Sequence, residues 1–179
     1  MKHKISAKRL SDTLFDGAKR TDSLEEVKNS IIEFDKILAI NSELKSFVQS
    51  KRLSQEQKFT VLSNALGSLF HGLVLGVVSY TSGVEASKII SQVRSNFIDS
   101  YKIMKNIVSI HATFSSEVNA KDLDGIQKKL STHLNKEAEL TVEVDSSLIG
   151  GAKFRIDNMF LDASVESQLK NIKSDLMKI

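Results

Sequence analysis

The chain has 179 residues, 41% of them hydrophobic and 26% charged, which is enough apolar material for one or two small folded domains and too much for a disordered chain. It contains no cysteine, so disulfides, thiolate metal sites and thiol catalysis are excluded. The net charge of +3 is divided unevenly, with 16 Lys and Arg against 11 Asp and Glu up to residue 105 and 9 against 11 beyond it. The basic residues are scattered along helices without interleaved aromatics, so no nucleic-acid partner is expected.

Taken in chain order, the start Met1-Lys2-His3-Lys4 is basic but is not followed by the apolar region of a secretory signal. A first helix is expected over 7–18. Leu24, Val27, Ile31, Phe34 and Leu38 then recur at spacings of three and four, with Ser23 and Glu26 placed as a capping box. A short helix is expected around 44–48, and Ser54 with Gln57 forms a second capping box before Val61, Leu62, Ala65 and Leu66. The most apolar run, 69–78, is far shorter than the roughly 20 residues a membrane span requires and reads as a buried helix over 69–80. Ile90, Val93, Phe97, Tyr101 and Met104 complete a set of about six helices.

Beyond Lys105 the period changes from 3.6 to 2. Val108, Ile110, Ala112 and Phe114 alternate as a strand, and Leu123, Ile126, Leu130 and Leu134 line a helix. Leu140, Val142 and Val144 mark another strand, as do Ala152, Phe154 and Ile156. Asp157-Asn158 has the composition of a two-residue hairpin turn into Met159, Phe160 and Leu161, so the later strands are expected to form a meander. Val165, Leu169, Ile172 and Leu176 fall on one side of a last helix, expected to lie on the sheet. The predicted class is α+β: an N-terminal six-helix bundle over 1–105, then a small α+β domain over 106–179. No linker-like composition separates the two.

Chemistry is hard to find in this pattern. His3, His71, His111 and His133 have no histidine or carboxylate at the helical spacing of a metal or catalytic pair. His71 reads as a satisfied or partly exposed imidazole. Gly150-Gly151-Ala152-Lys153 is followed by Phe154 rather than a hydroxyl residue, and lies in a strand, so it is not a Walker phosphate loop. No catalytic residue, cofactor or metal is expected. A groove between two helices is the better candidate, lined by Ala7, Leu10, Ser11 and Leu14 on one side and Leu73, Val74, Val77 and Val78 on the other, with the small Ala7 and Ser11 permitting close approach. The same positions would also serve a bundle core. Asp at Val77 is expected to weaken partner binding without unfolding the bundle, and unfolding instead would support the core reading.

The run Val144-Asp145-Ser146-Ser147-Leu148-Ile149-Gly150-Gly151, with Asp162, Ser164-Val165 and Leu169 following, resembles the C-terminal signature of the delta subunit of F-type ATP synthase, counterpart of the mitochondrial oligomycin sensitivity conferring protein. Ser146 stands where that family usually has proline, Asp157 where glycine is common, and Ala163 where glycine often precedes the serine. Near the start, Ala7, Leu14 and Phe15 match a family pattern in which Leu10, Ser11 and Thr13 replace tyrosine and two alanines. The resemblance implies a non-catalytic stator subunit whose N-terminal bundle captures the N-terminal helical segment of the alpha subunit. It implies further that the C-terminal domain binds the b subunits of the peripheral stalk, so that proton-driven rotation is coupled to ATP synthesis. Membrane association would then come only through partners, on the cytoplasmic face of a bacterial inner membrane. A bacterial-type chain is favoured because no transit extension is evident. The alternative is a soluble helical adaptor unrelated to ATP synthase.

Overall fold

The computed structural model describes residues 6–177; the basic start, with His3, lies outside them. The chain divides into two compact units, 1–101 and 102–179. The first carries α1 (Ala7–Arg20), α2 (Leu24–Ile40), α3 (Ser42–Gln49), α4 (Gln55–Leu66), α5 (Gly72–Ser79) and most of α6 (Ala86–Met104). The second carries β1 (Ile107–Phe114), α7 (Ala120–Leu134), β2 (Glu137–Val144), β3 (Gly151–Ile156), β4 (Met159–Ser164) and α8 (Val165–Leu176). The class is α+β, and α6 runs unbroken past the boundary between the units.

Local chemistry explains most helix ends. Ser54 accepts from the Gln57 amide at 3.2 Å while the Gln57 side chain accepts from the Ser54 amide at 3.0 Å, a complete capping box at the start of α4. The box expected at Ser23 and Glu26 does not form. The Ser23 hydroxyl instead lies 2.6 Å from the Thr21 hydroxyl, and a cap hydrogen bond from its side chain is absent. Asn41 caps α3 through two backbone amides, each at 3.0 Å. The apolar run opens its helix later than expected, at Gly72, because His71 acts as N-cap, its Nδ1 accepting from the Leu73 amide at 3.3 Å.

The stripes read from the sequence converge on one core in the first unit. Val27, Ile31, Phe34 and Leu38 of α2 meet Leu62 of α4, Val74 and Val78 of α5, and Ile90, Val93 and Phe97 of α6, all buried. Phe34 packs edge-on against Phe70 and Phe97 against Phe15, at centroid separations of 5.4 and 5.6 Å. Polar ties join α2 to α6, with Asp35 accepting from the Ser91 hydroxyl at 2.7 Å and the Tyr101 hydroxyl donating to Glu25.

In the second unit the sheet order is β2-β1-β3-β4. The expected meander is therefore reduced to the β3–β4 hairpin, closed by Asp157-Asn158 with Ile156 opposite Met159. β1 inserts between β2 and β3, pairing parallel with one and antiparallel with the other. The reason is burial: Val108, Ile110, Ala112 and Phe114 give β1 the most completely apolar face, and the middle of the sheet is where α7 can cover it. Leu123, Ile126, Leu130 and Leu134 of α7 pack on that face. The last helix departs from expectation as well. Val165, Leu169, Ile172 and Leu176 are 38, 58, 57 and 67% exposed, so the stripe of α8 is not laid on the sheet but left open.

Candidate partner-binding surfaces

The eight positions singled out for a groove are brought together by α1 and α5, but the seam between these helices is closed. Leu14, Val74, Val77 and Val78 belong to the buried core, and Ser11 is buried with a hydroxyl that has no hydrogen-bond partner among the described residues. A Cβ added at Gly17 would lie 3.5 Å from a methyl of Leu73, which shows how closely the leucine covers α1 there. Ala7, Leu10 and Leu73 stay partly exposed. Val77→Asp is accordingly expected to place a carboxylate among apolar side chains, costing about 3 kcal/mol or more and lowering the melting temperature of the first unit by roughly 10 °C or more. A thermal scan by circular dichroism checks this, an unchanged midpoint being the contrary result.

Space opens instead at the beginning of α1. A cleft of about 1220 Å³ is bounded by Ala7 and Leu10 of α1, Lys88, Ile89 and Gln92 of α6, and residues 80–85 between α5 and α6, with Lys51 on the rim. Tyr80 and Val84 offer exposed apolar surface there. The 80–85 segment is strongly tied down. The Gly83 amide donates to the Gln49 carbonyl at 2.8 Å, and Gln49 Nε2 donates to the Val84 carbonyl at 3.1 Å. Gly83 has φ +84°, which favours glycine, while a Cβ there would meet only the end of the flexible Lys51 side chain, Cε at 3.0 Å.

Behind this segment lies Lys58, only 2% exposed, whose Nζ donates to the carbonyls of Val48 at 2.6 Å and Thr81 at 2.9 Å. Burial lowers its pKa below the ordinary lysine range. The groove positions legible in the sequence end at Val78, short of this wall of the cleft. The available signal was Thr81-Ser82-Gly83, a turn-forming run between two apolar helices.

The second open surface belongs to the other unit. The spacing of four, three and four along Val165, Leu169, Ile172 and Leu176 is that of a coiled-coil seam, and charged Glu166 and Lys170 pair beside it at 2.6 Å. On the sheet, Met159 and Leu161 continue the apolar face of Ile156 and Phe154 onto the edge strand β4 and remain 63 and 53% exposed. These exposed apolar side chains on α8 and β4 make a candidate interaction surface. Among the described residues no group of three or more His, Asp or Glu is arranged to hold a metal ion.

A helical unit with an open cleft, an α+β unit with an uncovered apolar stripe and, among the described residues, no cluster that could hold a metal ion are the features of a protein that works by contact with other chains. The model of the ATP synthase delta (OSCP) subunit family matches residues 7–176, and the chain belongs to that family. It is similar to ATP synthase subunit delta of Bacillus thuringiensis (strain Al Hakam), 27% identical over 179 residues, covering 99% of each chain. It is also similar to ATP synthase subunit delta of Syntrophomonas wolfei, 23% identical over 176 residues, covering 98% of this chain and 97% of the relative. A chain in the cryo-EM structure of the Toxoplasma gondii mitochondrial ATP synthase hexamer has the same fold, with a TM-score of 0.61 at 19% identity over 97% of this chain and 98% of that one. The protein is a non-catalytic stator subunit of ATP synthase, and the unrelated adaptor is set aside.

Proposed function

We propose that the six helices form a bundle, within the domain 1–105, that captures the N-terminal helical segment of the alpha subunit, while the domain 106–179 holds the b subunits of the peripheral stalk. The observation that carries this is the uncovered apolar surface, at the cleft in one unit and along α8 in the other, beside stripes such as that of α2 whose Val27, Ile31, Phe34 and Leu38 are all buried. An amphipathic helix reaching the cleft would set its anchors against Ala7, Leu10 and Ile89, with Leu73, Ser11, Leu14, Val74, Val77 and Val78 shaping the wall of α1 and α5 behind them. A helix pair from the stalk would complete the seam offered by α8. The subunit then opposes the drag of rotation, for which slow dissociation from large apolar contacts matters more than any reactive group.

The expected location is peripheral, on the cytoplasmic face of a bacterial inner membrane, with attachment through partners. Among the described residues no helix is long and apolar enough to cross a membrane. Titration with a peptide from the N-terminus of the cognate alpha subunit, followed by backbone amide shifts, tests the first half. Saturable shifts are expected in 7–14 and 80–92, and Leu10→Asp should weaken binding about 10-fold or more. No saturable shift at millimolar peptide, with the chain folded, would refute the assignment of this cleft.

A further inference from the structure

Lys58 has no salt bridge among the described residues, yet its ammonium is buried. A methionine would fill the same space without the desolvation cost, so the geometry of its two hydrogen bonds is the feature to explain. Both acceptors are carbonyls at helix C-terminal ends, where unpaired oxygens and the negative ends of helix dipoles converge: Val48 in the last turn of α3, and Thr81 just after α5. One side chain from α4 therefore joins α3 to the segment that follows α5. Thr81 begins that segment, and the two Gln49 contacts fasten Gly83 and Val84 to the same end of α3. The 81–84 wall of the cleft thus hangs on α3 and α4, helices that do not themselves line it except through Lys51 of their connecting loop.

We infer that Lys58 is a positioning residue for partner capture, holding the 81–84 wall at the distance from α1 and α6 that admits a helix. This rests on the cleft being the alpha-subunit site proposed above. Lys58→Met keeps the length and apolar packing of the side chain but releases Thr81 and Val48, and Gln49→Ala removes a second tie from a half-exposed position without touching the core. The test uses the full chain, the alpha-subunit N-terminal peptide as probe, calorimetric titration for affinity and hydrogen exchange at the Gly83 amide, which donates to the Gln49 carbonyl, for the wall.

Lys58→Met is expected to weaken the peptide about 10-fold and to speed exchange of the Gly83 amide, with Gln49→Ala acting in the same direction by about 3-fold. Ile31→Val, a core substitution on α2, which does not line the cleft, should reduce stability with affinity unchanged, which separates positioning from general loosening. Unchanged affinity and exchange in Lys58→Met, accompanied by a lower melting temperature, would overturn the inference and leave a structural lysine. Should Lys58→Met not fold, unchanged affinity and exchange in Gln49→Ala would overturn it equally. If the wild-type chain binds no peptide, the partner assignment fails by itself; exchange in Lys58→Met then supports the positioning role if faster and overturns it if unchanged.

Discussion

Leu169→Asp together with Ile172→Asp is expected to weaken binding of the stalk b subunits by at least about 100-fold, while leaving the melting temperature of the free subunit unchanged. Both side chains are more than half exposed in the chain alone, so a carboxylate there is solvated and costs the fold little. In a complex that buries the stripe, the same carboxylates face apolar residues of the partner and must be desolvated without a counter-charge. The divergence between the two measurements is the signature of an interface. Ultracentrifugation of the variant with the soluble part of the b dimer, beside a thermal scan of the variant alone, checks both. A variant that unfolds would place the stripe in a core, and one that binds normally would direct attention to the β4 edge, where Met159, Phe160 and Leu161 are exposed.

The same helix shows where a sequence stops being informative. The 4-3-4 spacing of α8 identifies an amphipathic helix correctly, but periodicity specifies only that a stripe wants cover, not which surface supplies it. For Val27, Ile31, Phe34 and Leu38 of α2 and Ile90, Val93 and Phe97 of α6 the cover comes from within the unit; for α8 it does not. β1 is a parallel case. Its alternation declares a strand, yet its position between β2 and β3 follows from which strand carries the fullest apolar face, a comparison among strands rather than a property of one. At the cleft, Ala7 and Leu10 were legible as small and apolar positions facing a neighbour. Lys58 was not, because a lysine on a helix ordinarily reads as solvated, and its acceptors Val48 and Thr81 lie 10 and 23 residues away in the chain.

Gly151→Ala is expected to destabilise the second unit by about 2 to 4 kcal/mol, far more than a methyl group usually costs. Gly151 has φ +83°, and a Cβ on it would lie 2.4 Å from the Ala163 carbonyl oxygen and 2.9 Å from the Ser164 Cα. Both obstacles are backbone, held in register by the pairing of Gly151 with Ser164, so neither can rotate aside. Relief requires opening the end of the β3–β4 hairpin, and the Gly150 carbonyl, which accepts from the Val165 amide at 3.0 Å, would move with it. That hydrogen bond fixes the first residue of α8. The strain should therefore reach the helix whose exposed stripe is proposed to meet the stalk, and weaker b binding is expected even where the variant remains folded. Hydrogen exchange in the full chain provides the measurement, with protection lost in β3, β4 and the first turn of α8 and retained in α2 and α6. Loss of protection in the helical unit as well would mean that the damage is not confined to the hairpin, while wild-type protection throughout would mean that the two strands can separate at this end without cost.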